Sequence, residues 1–154
     1  MPPDQITPRG CTNFKLRQLL RGVSRLYDAE LAQVGLKGTQ FSLLSALYTY
    51  GPIAPGELAR HMGMDPSTLT RNVRLLIDQG WVVQGPGGDP RSRSLALTQA
   101  GRAKQLDAKA HWKRAQLALN ERLGVSEVAR LHRLIDGALT RLGPAAHPFD
   151  EEGP

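Results

Sequence analysis

The 154-residue sequence predicts a mainly α-helical fold interrupted once by a small two- or three-stranded β-wing. Three observations carry that expectation. Apolar residues recur at helical spacing along most of the chain. The only strand-like alternation flanks a single Gly/Pro-rich loop, and glycines or Gly-Pro pairs stand where the helical runs need to stop.

The first run, Asn13 to Val34, places Leu16, Leu19, Leu20, Val23, Leu26, Tyr27, Leu31 and Val34 on one stripe, with Lys15, Arg17, Arg21 and Arg25 opposite. That is the pattern of an amphipathic helix, and Gly35 ends it as a residue free to turn left-handed. Thr39 is the expected N-cap of a second helix through Phe41, Leu44, Leu47 and Tyr48, closed by Gly51-Pro52. Pro55 opens a short helix, "GELARHM", that stops at Gly63. Asp65 caps the next, with Pro66 at the first helical position, where its missing N–H costs nothing. That helix turns Leu69, Val73, Leu76 and Ile77 inward and ends at Gly80. Two short helices joined by about three residues including a glycine have the layout of a helix-turn-helix.

Trp81-Val82-Val83 and Leu95-Ala96-Leu97 read as short strands around "QGPGGDPRSRS". Thr98 caps a long helix to about Leu123, ended by Gly124. Ser126 is the expected cap of a last helix whose stripe is Val128, Leu131, Leu134, Ile135, Leu139 and Leu142. The order makes a winged helix-turn-helix over residues 39–98. It sits between a dimerisation helix (11–38) and C-terminal dimerisation helices (99–143), with a flexible lead (1–10) and a mobile tail (144–154). The first and last stripes lack enough partners within one such chain, and two-fold pairing buries both.

A formal net charge of +6 and an isoelectric point near 10.0 favour an anionic partner, nucleic acid or a membrane surface. No run of ~18 apolar residues is present and the N-terminus lacks an apolar signal core, so a cytoplasmic setting without membrane insertion is expected. The long helix carries Lys104, Lys109, Lys113 and Arg114, but an alanine-rich face opposite them is a weak membrane anchor. The single cysteine excludes an intramolecular disulfide and a cysteine-rich zinc site. His61, His111, His132 and His147 show no paired ligand spacing, and Asp107 with His111 reads as a surface ion pair, so neither metal nor cofactor is expected. With no phosphate loop, nucleophile elbow or clustered carboxylates, an enzyme is not expected either.

The second helix of the motif begins "DPSTLTRNVR" and exposes Ser67, Thr68, Thr70, Arg71 and Arg74. Small hydroxyls approach base edges and phosphates, an arginine pairs two bonds to guanine, and the helix N-terminus favours a phosphate. The same residues also suit a plain capped surface helix. The hairpin shifts the balance toward double-stranded DNA. Arg91 stands at its tip and Arg93 at its rim, on a loop bent by Gly87, Gly88 and Pro90. An arginine in a narrow minor groove gains from its negative potential, and Asp89 is expected to brace Arg91 through a carboxylate–guanidinium pair. A winged helix used for protein contact is the rival, and it predicts an apolar recognition face.

"GELARHMGMDPSTLTRNVRLLIDQGWVVQGPGGDPRSRSLALTQAGR" resembles the DNA-binding core of the MarR family of bacterial transcription regulators. The "STLTR…L…GWV" helix and the "D-P-R-S…LALT..G" wing are its most specific marks, and the likeness runs over about residues 11–142. The resemblance implies a homodimer on a pseudo-palindromic operator, usually as a repressor, with a small ligand or an oxidant altering the spacing of the two reading heads. It also implies that Arg91 enters the minor groove with Asp89 in support. Two kinds of signal are candidates. A small aromatic acid or phenol would sit between helical body and wing, with Arg17 and Arg21 as anchors and Tyr48, His61 or Trp112 nearby. Alternatively, Cys11 would sense peroxide, as in one branch of the family, although it lies about two residues upstream of that branch's cysteine and Arg17 replaces a tyrosine. A solvated arginine face and an incidental cysteine are the bland counterparts of both.

Overall fold

The computed structural model describes residues 7–143; residues 1–6 of the expected lead and all of the expected tail, His147 included, lie outside them. The elements are α1 (Thr12–Leu31), a single 3-10 turn (Ala32–Val34), α2 (Gly38–Tyr50), α3 (Pro55–His61), α4 (Pro66–Asp78), β1 (Val82–Pro86), β2 (Arg93–Leu97), α5 (Gln99–Leu123) and α6 (Val125–Leu142). Strands β1 and β2 pair antiparallel in a register running from Val82↔Leu97 to Pro86↔Arg93. Beyond this hairpin, a third strand is reduced to one bridge. Ile53 exchanges both backbone hydrogen bonds with Leu95, at 3.0 and 2.8 Å.

Helix α2 is the centre of the fold because it is apolar on more than one side. Phe41, Leu43, Leu44, Ala46 and Leu47 are all buried, as befits a helix enclosed by neighbours. Around it gather Leu58 of α3, Leu69, Val73 and Leu76 of α4, Val82, Leu95 and Leu97 of the hairpin, and Leu31, Leu36 and Ala108. Each fully buried leucine contributes about 1.5–3 kcal/mol, which makes this one cluster the principal support of the motif. Helix α5 packs against α1 and α2, and its buried residues are Gly101, Gln105, Ala108 and Ala115. Its alanine-rich face is therefore a close-packing face of the core.

Two expected caps fall elsewhere. Helix α2 begins at Gly38, before Thr39, because its first N–H groups find partners that spacing alone does not reveal. The Lys37 N–H donates to Gln40 Oε1 at 2.8 Å, and the Gly38 N–H donates across to Asp28 Oδ1 on α1 at 2.7 Å. Helix α6 begins at Val125 straight after Gly124, whose φ of 86° makes the turn from α5, so Ser126 lies within the first turn and caps nothing. Asp65 before α4 and Thr98 before α5 cap as expected, whereas the first helix gives way to the 3-10 turn at Ala32 and the strands reach further into the loop than expected, β1 to Pro86 and β2 from Arg93.

The wing is joined to α5 by a close backbone approach. Thr98 donates its N–H to the Trp81 carbonyl (3.0 Å) and its hydroxyl to the Gly80 carbonyl (2.6 Å), and accepts from the Gly101 N–H (3.0 Å). Only glycine fits at 101, since a Cβ there would overlap the Trp81 carbonyl. At the other extreme, residues 12–22 of α1 are all exposed, and in α6 only Val128 is buried. The first half of α1 and the part of α6 after Val128 thus hold their apolar residues clear of the core, while Leu31 at the end of α1 is anchored in it.

Candidate nucleic-acid interface

Met62 ends α3, Gly63 turns at φ 60°, and Asp65 starts α4, so the short helices are set by a glycine turn and a carboxylate cap. The Asp65 carboxylate accepts from the Thr68 N–H at 3.0 Å. It also takes the Ser67 hydroxyl at 2.5 Å and the Thr68 hydroxyl at 2.6 Å. The Ser67 hydroxyl, then the hydroxyl and N–H of Thr68, hold this carboxyl far below its ordinary pKa. The first turn of α4 therefore carries its own anion, the sign of charge that a helix N-terminus favours. Thr70 donates its hydroxyl back to the Pro66 carbonyl at 2.8 Å.

Ser67, Thr70, Arg71 and Arg74 share one exposed face by their i, i+3, i+4, i+7 spacing, with Thr68 half-buried beside them. Leu69, Val73 and Leu76 hold the opposite face in the core. Leu75 is the one large apolar side chain of α4 left exposed, so the recognition face is polar and basic rather than the apolar face a protein-contact module would need.

The wing tip is a hydrogen-bonded turn. The Ser92 N–H donates to the Asp89 carbonyl at 2.9 Å across Pro90, and the Gly87 N–H donates to the Ser92 carbonyl at 3.0 Å. The Ser92 hydroxyl accepts from the Asp89 N–H (3.0 Å) and donates to the Asp89 carbonyl (2.8 Å). Asp89 does brace Arg91, but not as expected. Its Oδ1 accepts from the Arg91 backbone N–H at 3.0 Å, and no carboxylate–guanidinium pair forms. The short side chain caps its own turn because the N–H two residues on is within closer reach than a flexible guanidinium. Arg91 and Arg93 are exposed, and among the described residues no acceptor takes a bond from the guanidinium of Arg71, Arg74, Arg91 or Arg93. Four uncommitted cations thus lie on α4 and the adjoining wing. Ser92 was not singled out in the sequence; its only signal is a serine three residues after an Asp-Pro turn.

The expected effector anchors do not converge. Arg17 donates to Asn13 at 3.2 Å on an exposed stretch of α1, and Arg21 is exposed. Tyr48 is exposed as well, and His61 stacks on Tyr50 with ring centroids 4.3 Å apart. Of the five residues expected around an effector, Trp112 alone lines the cavity of about 350 Å³ formed by α1, α2 and α5. Its other walls include Tyr27, Asp28, Thr39, Phe41 and Ser42, and none of its lining residues is cationic. Trp112 and Phe41 stack at 6.2 Å, Asp28 supplies the anionic wall, and the Tyr27 hydroxyl donates to Gln116 while burial pushes its pKa up. Asp28 and Phe41 carry no local signal of this role, because three helices separated in sequence make the cavity.

Cys11 occupies the exposed position before α1 and makes no side-chain cap bond. His111 pairs with Glu30 (3.6 Å) and lies against Arg114, so it joins α5 to α1 instead of meeting Asp107. No metal-ligating cluster occurs among the described residues, and none of their helices is long and apolar enough to cross a membrane.

Comparison with known proteins follows this geometry. Residues 34–92 match the model of the MarR family. An uncharacterized HTH-type transcriptional regulator of Bacillus subtilis, YwoH, is 29% identical over 90 residues, which span 58% of this chain and 66% of that protein. The multiple antibiotic resistance protein MarR of Salmonella typhimurium is 30% identical over 136 residues, 86% of this chain and 91% of that one. A mutant of MarR from E. coli complexed with operator DNA superposes with a TM-score of 0.77 at 26% identity, covering 82% of this chain and 92% of its own. From the α3–α4 pair through the wing and out along both terminal helices, then, this chain belongs to the MarR family of transcriptional regulators and is not an enzyme.

Proposed function

We propose that the protein is a homodimeric, sequence-specific DNA-binding repressor whose release is triggered by a small phenol. The observation that carries DNA binding is the set of four unpaired guanidiniums on α4 and the wing, at Arg71, Arg74, Arg91 and Arg93. Donors with no internal partner are free for phosphates and guanine edges. The operator-bound E. coli MarR shares this fold at a TM-score of 0.77, which supports the same use of α4 here. The exposed stripes of α1 and α6 support pairing of two copies, with their recognition helices in successive major grooves. The cavity favours a phenol over an aromatic acid. Asp28 accepts a hydroxyl proton but repels a carboxylate, and Phe41 and Trp112 offer ring faces.

The test is fluorescence anisotropy on the DNA upstream of the protein's own gene, against scrambled DNA, across a salt series. Selective, salt-sensitive binding is expected, with Arg91→Ala costing about 1–3 kcal/mol, roughly 5- to 150-fold. Phenol is expected to weaken binding and benzoate to leave it unchanged. Equal weak binding on both DNAs would remove the reading, an unaffected Arg91→Ala would remove the minor-groove role, and a response to benzoate alone would remove the phenol.

A further inference from the structure

We propose that α4 addresses its operator through hydroxyl groups acting only as acceptors, so that Ser67 and Thr70 select bases bearing an exocyclic amino group, adenine or cytosine. This rests on the DNA-reading role of α4 proposed above.

A hydroxyl has one proton to give. Ser67 gives it to Asp65 Oδ1 at 2.5 Å, Thr68 to Asp65 Oδ2 at 2.6 Å and Thr70 to the Pro66 carbonyl at 2.8 Å. A carboxylate and a carbonyl only accept, so the direction of all three bonds is fixed by chemistry and each proton points back into the helix. What Ser67 and Thr70 turn outward is lone pairs. Phosphate oxygens, guanine N7 and O6, and thymine O4 are acceptors as well, and two acceptors facing each other repel. In the major groove the donors are adenine N6 and cytosine N4. Asp65 adds its own negative charge at the start of α4, which further disfavours a phosphate there. Labour on this face is thereby divided. Arg71 and Arg74, uncommitted donors one turn further along, suit guanine and phosphate, while Ser67 and Thr70 suit adenine and cytosine.

The experiment uses the full chain on an operator obtained by selection from random duplexes. Each adenine is then replaced by purine and each cytosine by 2-pyrimidinone, one position at a time, which deletes only the amino group. Wild type is expected to lose roughly 3- to 10-fold in affinity at one or two positions, the size of a single neutral hydrogen bond. Ser67→Ala or Thr70→Val is expected to lose that discrimination at the matching position. Selective wild-type binding that ignores every amino deletion would overturn the acceptor code while leaving the DNA reading intact. So would hydroxyl variants that weaken all sequences equally, as phosphate contacts would. Failure of wild type to select any sequence would remove the DNA reading and the code with it.

Discussion

At the scale of single residues, Asp65 does two things at once. Its carboxylate caps α4 through the Thr68 N–H and takes the protons of two hydroxyls on the recognition helix. These bonds depress its pKa, so the stabilisation they give is fully present above the unfolded value near ~3.9. It is lost as pH falls through the depressed folded value. Asp65→Asn keeps a neutral cap at every pH. Wild type is therefore expected to melt above Asp65→Asn at neutral pH, with the gap closing progressively below about pH 4. Thermal melts of the two proteins across the acid range check this, and a gap independent of pH would show that the ionised carboxylate contributes nothing. Asp65 was legible as a cap from "DPST", since cap, proline and hydroxyls are adjacent in sequence. The way Asp89 supports Arg91 was not, because an aspartate two residues from an arginine can reach either its backbone or its side chain, and only the turn decides.

At the scale of elements, helices announced by a stripe and a local cap lie where the sequence places them, as α4 and α5 do. The start of α2 escapes such reading because its N-terminal donor is satisfied by Asp28, on a different helix. The cavity escapes it for the same reason. The junction of wing and α5 is local again, since Thr98 and Gly101 bind Gly80 and Trp81 through the hairpin register. Adding a methyl at 101 forces the start of α5 away from the Trp81 carbonyl. Gly101→Ala is expected to destabilise the fold by about 1–3 kcal/mol, the range for overpacking a close contact. Urea unfolding measures it, and an unchanged midpoint would mean that the backbone relaxes without cost.

At the scale of the whole molecule, the apolar residues that the core does not use are concentrated at the two chain ends. Leu20 of α1 is 64% exposed and Leu139 of α6 is 62% exposed. Two copies joined there also gain a second half-site on DNA, so losing the pairing is expected to cost about 100-fold or more in operator affinity. Leu20→Lys with Leu139→Lys is expected to sediment as a monomer and show that loss. A wild type that sediments as a monomer at micromolar concentration would sink the pairing. Helix α5 gives this arrangement a mechanical property of its own. It runs unbroken for 25 residues from the wing junction to the turn into α6. At 1.5 Å per residue it is a stiff rod of about 37 Å, so a tilt of about 5° at one end carries the other through about 3 Å. A change too small to disturb the packing at the far end of α5 is enough to move a wing tip by half the width of a minor groove, about 6 Å across.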